Sequence, residues 1–292
     1  MIWLRSLAVA FLTAAFLPAA AQQADAPALW RIDGPKGTVY LFGSFHMLPP
    51  EVKWRSEAVD AALRRAQVIV LETNVREVRD PATMRPLIGK FGVLPPGTSL
   101  PATLPEGTRK DLERVTRELG LPMEAIDRMR PWLAAIVLTA TAMAKEGFDP
   151  KEGIEEQLTT WALAEDKTLD ALESNESQIR VMADLAPDAE AGLLRATLRQ
   201  IEDLPRTLDE MLTAYRKGDV KTLEKTVNAG LADVPALRQR LLNDRHQRWL
   251  PQIETMMKDG RTYVVVMGAA HLAGPDSVVA MLRAKGIRVE GP

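Results

Sequence analysis

The strongest strand signal in this chain, Thr-Tyr-Val-Val-Val-Met at 262–267, lies close to the C-terminus. The other clear strand runs lie at the opposite end, at Leu29–Ile32, Thr38–Gly43 and Gln67–Leu71. Gln67–Leu71 is β-branched and apolar without alternation, the kind of run that is buried on both faces of a parallel sheet. Strands from the two ends must then meet in one sheet, with whatever lies between them carried as an insertion. This predicts an α/β fold: a sheet of mostly parallel strands, built from the N- and C-terminal parts of the chain and flanked by helices.

Local signals fill in the elements. Asp33-Gly34-Pro35-Lys36-Gly37 separates the first two strands as a hairpin turn. Ala58, Val59, Ala62 and Leu63 fall at helical spacing behind Ser56, a candidate N-cap, so strand, helix and strand form a βαβ unit up to Leu71. Residues 80–108 carry Pro81, Pro86, Pro95, Pro96, Pro101 and Pro105 and read as a loop with one short helix. Most of Leu112 to Met257 reads as helices, including the apolar Trp132–Ala144, an amphipathic Lys151–Glu165 and a fresh start at Pro205. One short strand candidate, Thr168–Leu172, interrupts them. After Thr262–Met267 come a helix over Pro275–Lys285 and a last strand at Ile287–Glu290, a second βαβ unit. The expected core covers about 28–75 and 260–290, with a helical insertion at about 80–258 that contributes one core strand near 168–172.

Residues 1–21 read as a secretory signal peptide: Arg5, an apolar stretch from Leu7 to Leu17, then Pro18-Ala19-Ala20-Ala21. That stretch is too short for the roughly 20 residues that cross a bilayer. The expectation is a mature domain over 22–292, periplasmic or secreted, with no integral membrane segment. The 292 residues contain no cysteine, which removes thiolate metal sites, iron–sulfur clusters, cysteine nucleophiles and disulfides. A formal net charge of -2 supplies no field for nucleic acid.

Chemistry-bearing side chains fall at strand ends. His46 follows Thr38–Gly43, Glu72 follows Gln67–Leu71, Glu173 follows Thr168–Leu172, and His271 follows Thr262–Met267. In an open parallel sheet the carboxyl edge is where sites assemble, so two imidazoles and two carboxylates should converge on one cleft. Gly43-Ser44-Phe45-His46 and Gly268-Ala269-Ala270-His271 share a spacing, and a glycine at a strand end permits a sharp turn that aims the His over the edge. Imidazoles with carboxylates suit Zn²⁺, Mn²⁺ or Co²⁺, and a spare Glu could serve as base in hydrolysis. Each Glu could equally bond a helix N-terminus or pair with an arginine. Arg245 reads either as holding a site carboxylate or as a surface pair, and is placed with Ser44 among the substrate-binding residues. His246 sits in a charged helix and reads as solvated, and Trp249 and Trp132 read as core. Ser44 lacks a Gly-x-Ser-x-Gly elbow and is placed as a substrate contact rather than a nucleophile.

The paired Gly-x-x-His segments, with Leu71-Glu72 between them, resemble the TraB/GumN family, which includes the Tiki proteases. Leu172-Glu173 followed by Gln178, Arg245 with Trp249, and His271-Leu272-Ala273-Gly274-Pro275-Asp276 share that resemblance, which spans roughly 28–290. It implies a fold like the erythromycin esterase and haem-binding ChaN group, and a divalent-metal-dependent protease with manganese or cobalt favoured. His46 and His271 would be metal ligands or catalytic, and Glu72 and Glu173 ligands or base. The chain departs from the pattern twice: Arg245-His246 stands where the family tends to have Arg-Asn, and Gly153-Ile154-Glu155 where it tends to have Gly-hydrophobic-Asp. The expected function is a secreted metal-dependent hydrolase acting on a peptide or protein substrate. The alternatives are a metal-free hydrolase with His46 as base and a Glu orienting it, or a non-enzymatic haem-, peptide- or polysaccharide-binding protein. Oligomeric state has no sequence signal.

Overall fold

A computed structural model describes residues 25–292. The expected signal peptide, residues 1–21, lies outside the described residues. Five strands form one sheet: β1 (Leu29–Asp33), β2 (Thr38–Ser44), β3 (Val68–Leu71), β4 (Thr168–Ala171) and β5 (Thr262–Gly268). Their order across the sheet is β1-β2-β5-β3-β4. β1 pairs antiparallel with β2 through the Asp33–Thr38 turn, and every other pairing is parallel. The C-terminal strand is therefore central, with Leu41 opposite Val265 on one side and Val70 opposite Val265 on the other.

Both faces of the sheet are covered, as the unalternating strands require. Val39, Leu41, Val70 and Val265 face Trp249, Ile253, Val278 and Leu282. Phe42, Ile69, Leu71 and Val266 face Val59, Leu63, Ile154 and Leu158 on the other side. A third cluster, around Leu112, Ile126, Leu138 and Leu194, lies among helices alone. Ser56 caps the Glu57–Arg65 helix, its side chain accepting from the Val59 N–H. Among the described residues no helix is long and apolar enough to cross a membrane.

Two elements differ from the sequence expectation. Residues 80–108 are mainly helical: Pro81–Phe91, Leu100–Thr103 and the start of Glu106–Leu119. Pro81 and Pro101 sit in first turns and Pro105 is an N-cap, positions where no intrahelical N–H is needed. These prolines start helices instead of excluding them. The second difference is Ile287–Glu290, which is no sheet strand and closes no second βαβ unit. Both flanks of β5 are already taken by β2 and β3. The chain end goes instead to the outer edge, where Glu290 bridges antiparallel to Arg31.

Candidate functional site

The four strand-end residues lie along one edge. β2, β5, β3 and β4 run parallel, so the segments that leave their carboxyl ends emerge side by side. The β3–β4 ladder continues one step past the strands. The Leu172 N–H donates to Leu71 O at 2.9 Å and the Glu173 N–H to Glu72 O at 2.9 Å, which sets the two glutamates next to each other.

Arg245 draws three of the four predicted side chains together. Its Nη2 bonds Glu72 Oε2, its Nε donates to Glu173 Oε1 at 2.9 Å, and its Nη1 lies 2.9 Å from His271 Nε2. The guanidinium stacks 4.4 Å from the Trp249 ring centroid, and the residue is 1% exposed. Glu72 also accepts from the Gly268 N–H at 2.6 Å and from Gln178 Nε2 at 3.1 Å. Burial alone would push the Glu72 carboxyl up. The His271 ring, the Arg245 guanidinium and the Gly268 N–H outweigh it and hold the group at about 2. Burial pushes His271 down to about 3 and His246 down to about 4, so both rings are neutral at physiological pH.

His46 belongs to a second group. Its Nδ1 lies 2.8 Å from Glu155 Oε1, while 68% of its side chain is in solvent. Ser44 donates its buried hydroxyl to the same Glu155 oxygen at 2.5 Å, so Ser44 holds the carboxylate and is 3% exposed. The Glu155 charge raises the His46 imidazole above its ordinary value, and water on the ring's open side screens the effect. Burial opposes the charge on Glu155, but His46 and the two hydrogen bonds bring its pKa below the usual value.

This group is assembled by a close backbone approach. A Cβ on Gly153 would sit 2.2 Å from the His46 carbonyl oxygen, so only glycine lets the two segments touch. The next N–H, of Ile154, donates to Phe45 O at 3.0 Å. Glu155 then enters the first turn of the Ile154–Ala164 helix facing Ser44 and His46. The glycines of the paired motifs serve a different purpose from the one expected. Neither Gly43 nor Gly268 has a positive φ. A Cβ on Gly43 would crowd Ala269 at 3.1 Å, and one on Gly268 would stand 3.4 Å from Glu72 Oε1. Gly43 permits close packing between strand ends, whereas at Gly268 a Cβ would meet its neighbours at ordinary contact distance.

Two site residues escaped the sequence reading. Glu155 entered it only as a departure from a family pattern. His246, read as solvated, is 1% exposed and its Nε2 lies 2.8 Å from His271 Nδ1. The signal was present in the helix phase, since His246, Trp249, Leu250 and Ile253 fall on one stripe and all are buried.

The donor set was also weighed against a divalent metal. Among the described residues no group of three or more His, Cys, Asp or Glu is gathered to hold one. A cation between His271, Glu72 and Glu173 would need the His271 Nε2 lone pair and the carboxylate oxygens that Arg245 engages. In this arrangement the guanidinium takes that place, and the residues do not fit a metal there.

The family described as TraB/PrgY/gumN matches residues 28–291. The uncharacterized protein YbaP of Escherichia coli (strain K12) is 28% identical over 249 residues, 84% of this chain and 87% of its own. An uncharacterized protein of Treponema pallidum (strain Nichols) is 22% identical over 267 residues, 87% of this chain and 79% of its own. No solved structure matches the chain.

Proposed function

This chain belongs to the TraB/PrgY/gumN family, and on that premise we propose that it is a hydrolase whose general base is His46, oriented by Glu155. The observation that carries the proposal is the pair itself. A carboxylate grips Nδ1 at 2.8 Å while the ring stays open to solvent, at the sheet edge where substrates bind. Neutral His46 takes a proton from water, and the water oxygen attacks the scissile carbonyl carbon. The carbon–nitrogen bond then breaks as the imidazolium returns the proton to the leaving amine.

The surroundings favour a polar, extended substrate. A cavity of about 460 Å³ opens beside Glu173, lined by Ser174, Ser177, Arg180, Asp184, Arg240 and Arg248. From β2 to β4 is three strand spacings, about 14 Å, the reach of some four extended residues. A peptide or protein fits that combination of length and mixed charge better than a haem, which wants an apolar slot. The leader-like residues 1–21 support action in the periplasm or outside the cell.

A divalent metal (manganese, cobalt or zinc) enters the same edge only if Arg245 withdraws. The test is peptide hydrolysis by chelator-treated protein, its His46→Ala and Glu155→Gln variants, and a His46→Ala, His271→Ala double variant, alongside calorimetry with each metal. Activity that survives chelation and falls in both single variants is expected. Stoichiometric metal binding that vanishes in a folded double variant would replace the metal-free mechanism with a metal-dependent one. No hydrolysis under either condition would leave a binding protein.

A further inference from the structure

His246, His271 and Arg245 form a chain of three contacts whose two ends have fixed hydrogen-bonding character. At one end His246 Nδ1 lies 2.8 Å from the Asp276 carbonyl oxygen, which can only accept. His246 Nδ1 therefore carries the hydrogen, and in the neutral ring its Nε2 is an acceptor. His246 Nε2 lies 2.8 Å from His271 Nδ1, so the hydrogen between them belongs to His271. At the other end Arg245 Nη1, which can only donate, lies 2.9 Å from His271 Nε2. That nitrogen must present a lone pair. A hydrogen on it would set donor against donor. Argued from either end, the polarity is the same.

We propose that His246 is the positioning residue that locks His271 in its Nδ1–H tautomer, so that His271 Nε2 anchors the Arg245 guanidinium over Glu72 and Glu173. The two Gly-x-x-His segments then divide the labour. His46 stands in solvent and is free to exchange a proton, whereas His271 is 4% exposed and has no hydrogen to give at the site. The tautomer follows from the contacts alone and does not depend on the reaction proposed above.

The chain has three histidines, so a ¹⁵N-histidine spectrum contains three rings. In the wild-type protein at pH 7, two rings should be neutral with the hydrogen on Nδ1, and a through-bond nitrogen–nitrogen coupling should join His246 Nε2 to His271 Nδ1. His246→Leu should abolish the coupling and release His271 into a mixture of tautomers. An Nε2–H His271 in the wild type would overturn the proposal even if His246→Leu failed to fold. So would a His271 signal unmoved in a folded His246→Leu variant.

Discussion

At Arg245 one guanidinium faces two buried carboxylates and a neutral imidazole. With both histidines uncharged, Glu72, Glu173 and Arg245 carry one surplus negative charge. The Gly268 N–H, Gln178 and the half-exposed Arg248 guanidinium, 3.5 Å from Glu173, share in its solvation. Removing one partner of a buried ion pair leaves the other uncompensated, which costs about 3–5 kcal/mol. Arg245→Met should therefore lower the unfolding free energy by roughly that amount in a urea titration at pH 7. A loss below about 1 kcal/mol would mean that water reaches the cluster. At His46 the expected effect is on both rate and stability. His46→Ala should reduce hydrolysis by about 10²–10⁴ and should also lower stability at pH 7, because it leaves the buried Glu155 carboxylate without the imidazole that pairs with it. The base form of a His with a raised pKa appears as pH rises through that pKa, so activity should climb on the alkaline side. Glu155→Gln removes the charge that raises the imidazole, and the limb of a pH–rate profile should move to lower pH as the maximal rate falls. A limb that stays in place would separate Glu155 from the titrating group.

At the scale of elements, two helices do most of the positioning. The Asp244–Met256 helix turns Arg245, His246 and Trp249 toward the sheet, and it follows a π-helical segment at Gln239–Asn243. A π segment shifts the helical phase locally, a device often found at functional sites. The Ile154–Ala164 helix brings Glu155 to His46 because Gly153 lets the preceding turn touch the β2 exit. Gly153→Ala would place a methyl against a carbonyl oxygen, and overpacking of that kind costs about 1–3 kcal/mol. Both stability and activity should fall, the latter because His46 and Glu155 move apart. Unchanged thermal unfolding in that variant would show that the two segments can separate freely. The helices at Pro81–Phe91 and Leu100–Thr103 show how composition misleads at this scale. Pro81 and Pro101 begin helices in their first turns and Pro86 lies inside the Pro81–Phe91 helix without ending it, so proline content alone does not mark a loop.

At the scale of the whole molecule, the sheet order decides what can meet. With β5 between β2 and β3, the exits carrying His46, His271 and Glu72 are successive neighbours, and β4 adds Glu173. A metal centre built from all four would require Arg245 to leave them. Calorimetry on chelator-stripped protein should therefore show no stoichiometric Mn²⁺ or Zn²⁺ binding, whereas micromolar binding would show that the guanidinium yields. The sequence by itself determined the five strands of the sheet, the class of fold, the family, and the residues at the strand ends. Those features rest on local pattern: β-branched runs without alternation, the hairpin turn, and the glycine-to-histidine spacing. The tertiary structure alone decided that Glu155 partners His46, that His246 is buried against His271, and that Ile287–Glu290 goes to the outer edge. Each depends on contacts between segments about 25 to 260 residues apart. A side chain's partner is fixed by which surfaces pack together, and no local period in the sequence records that.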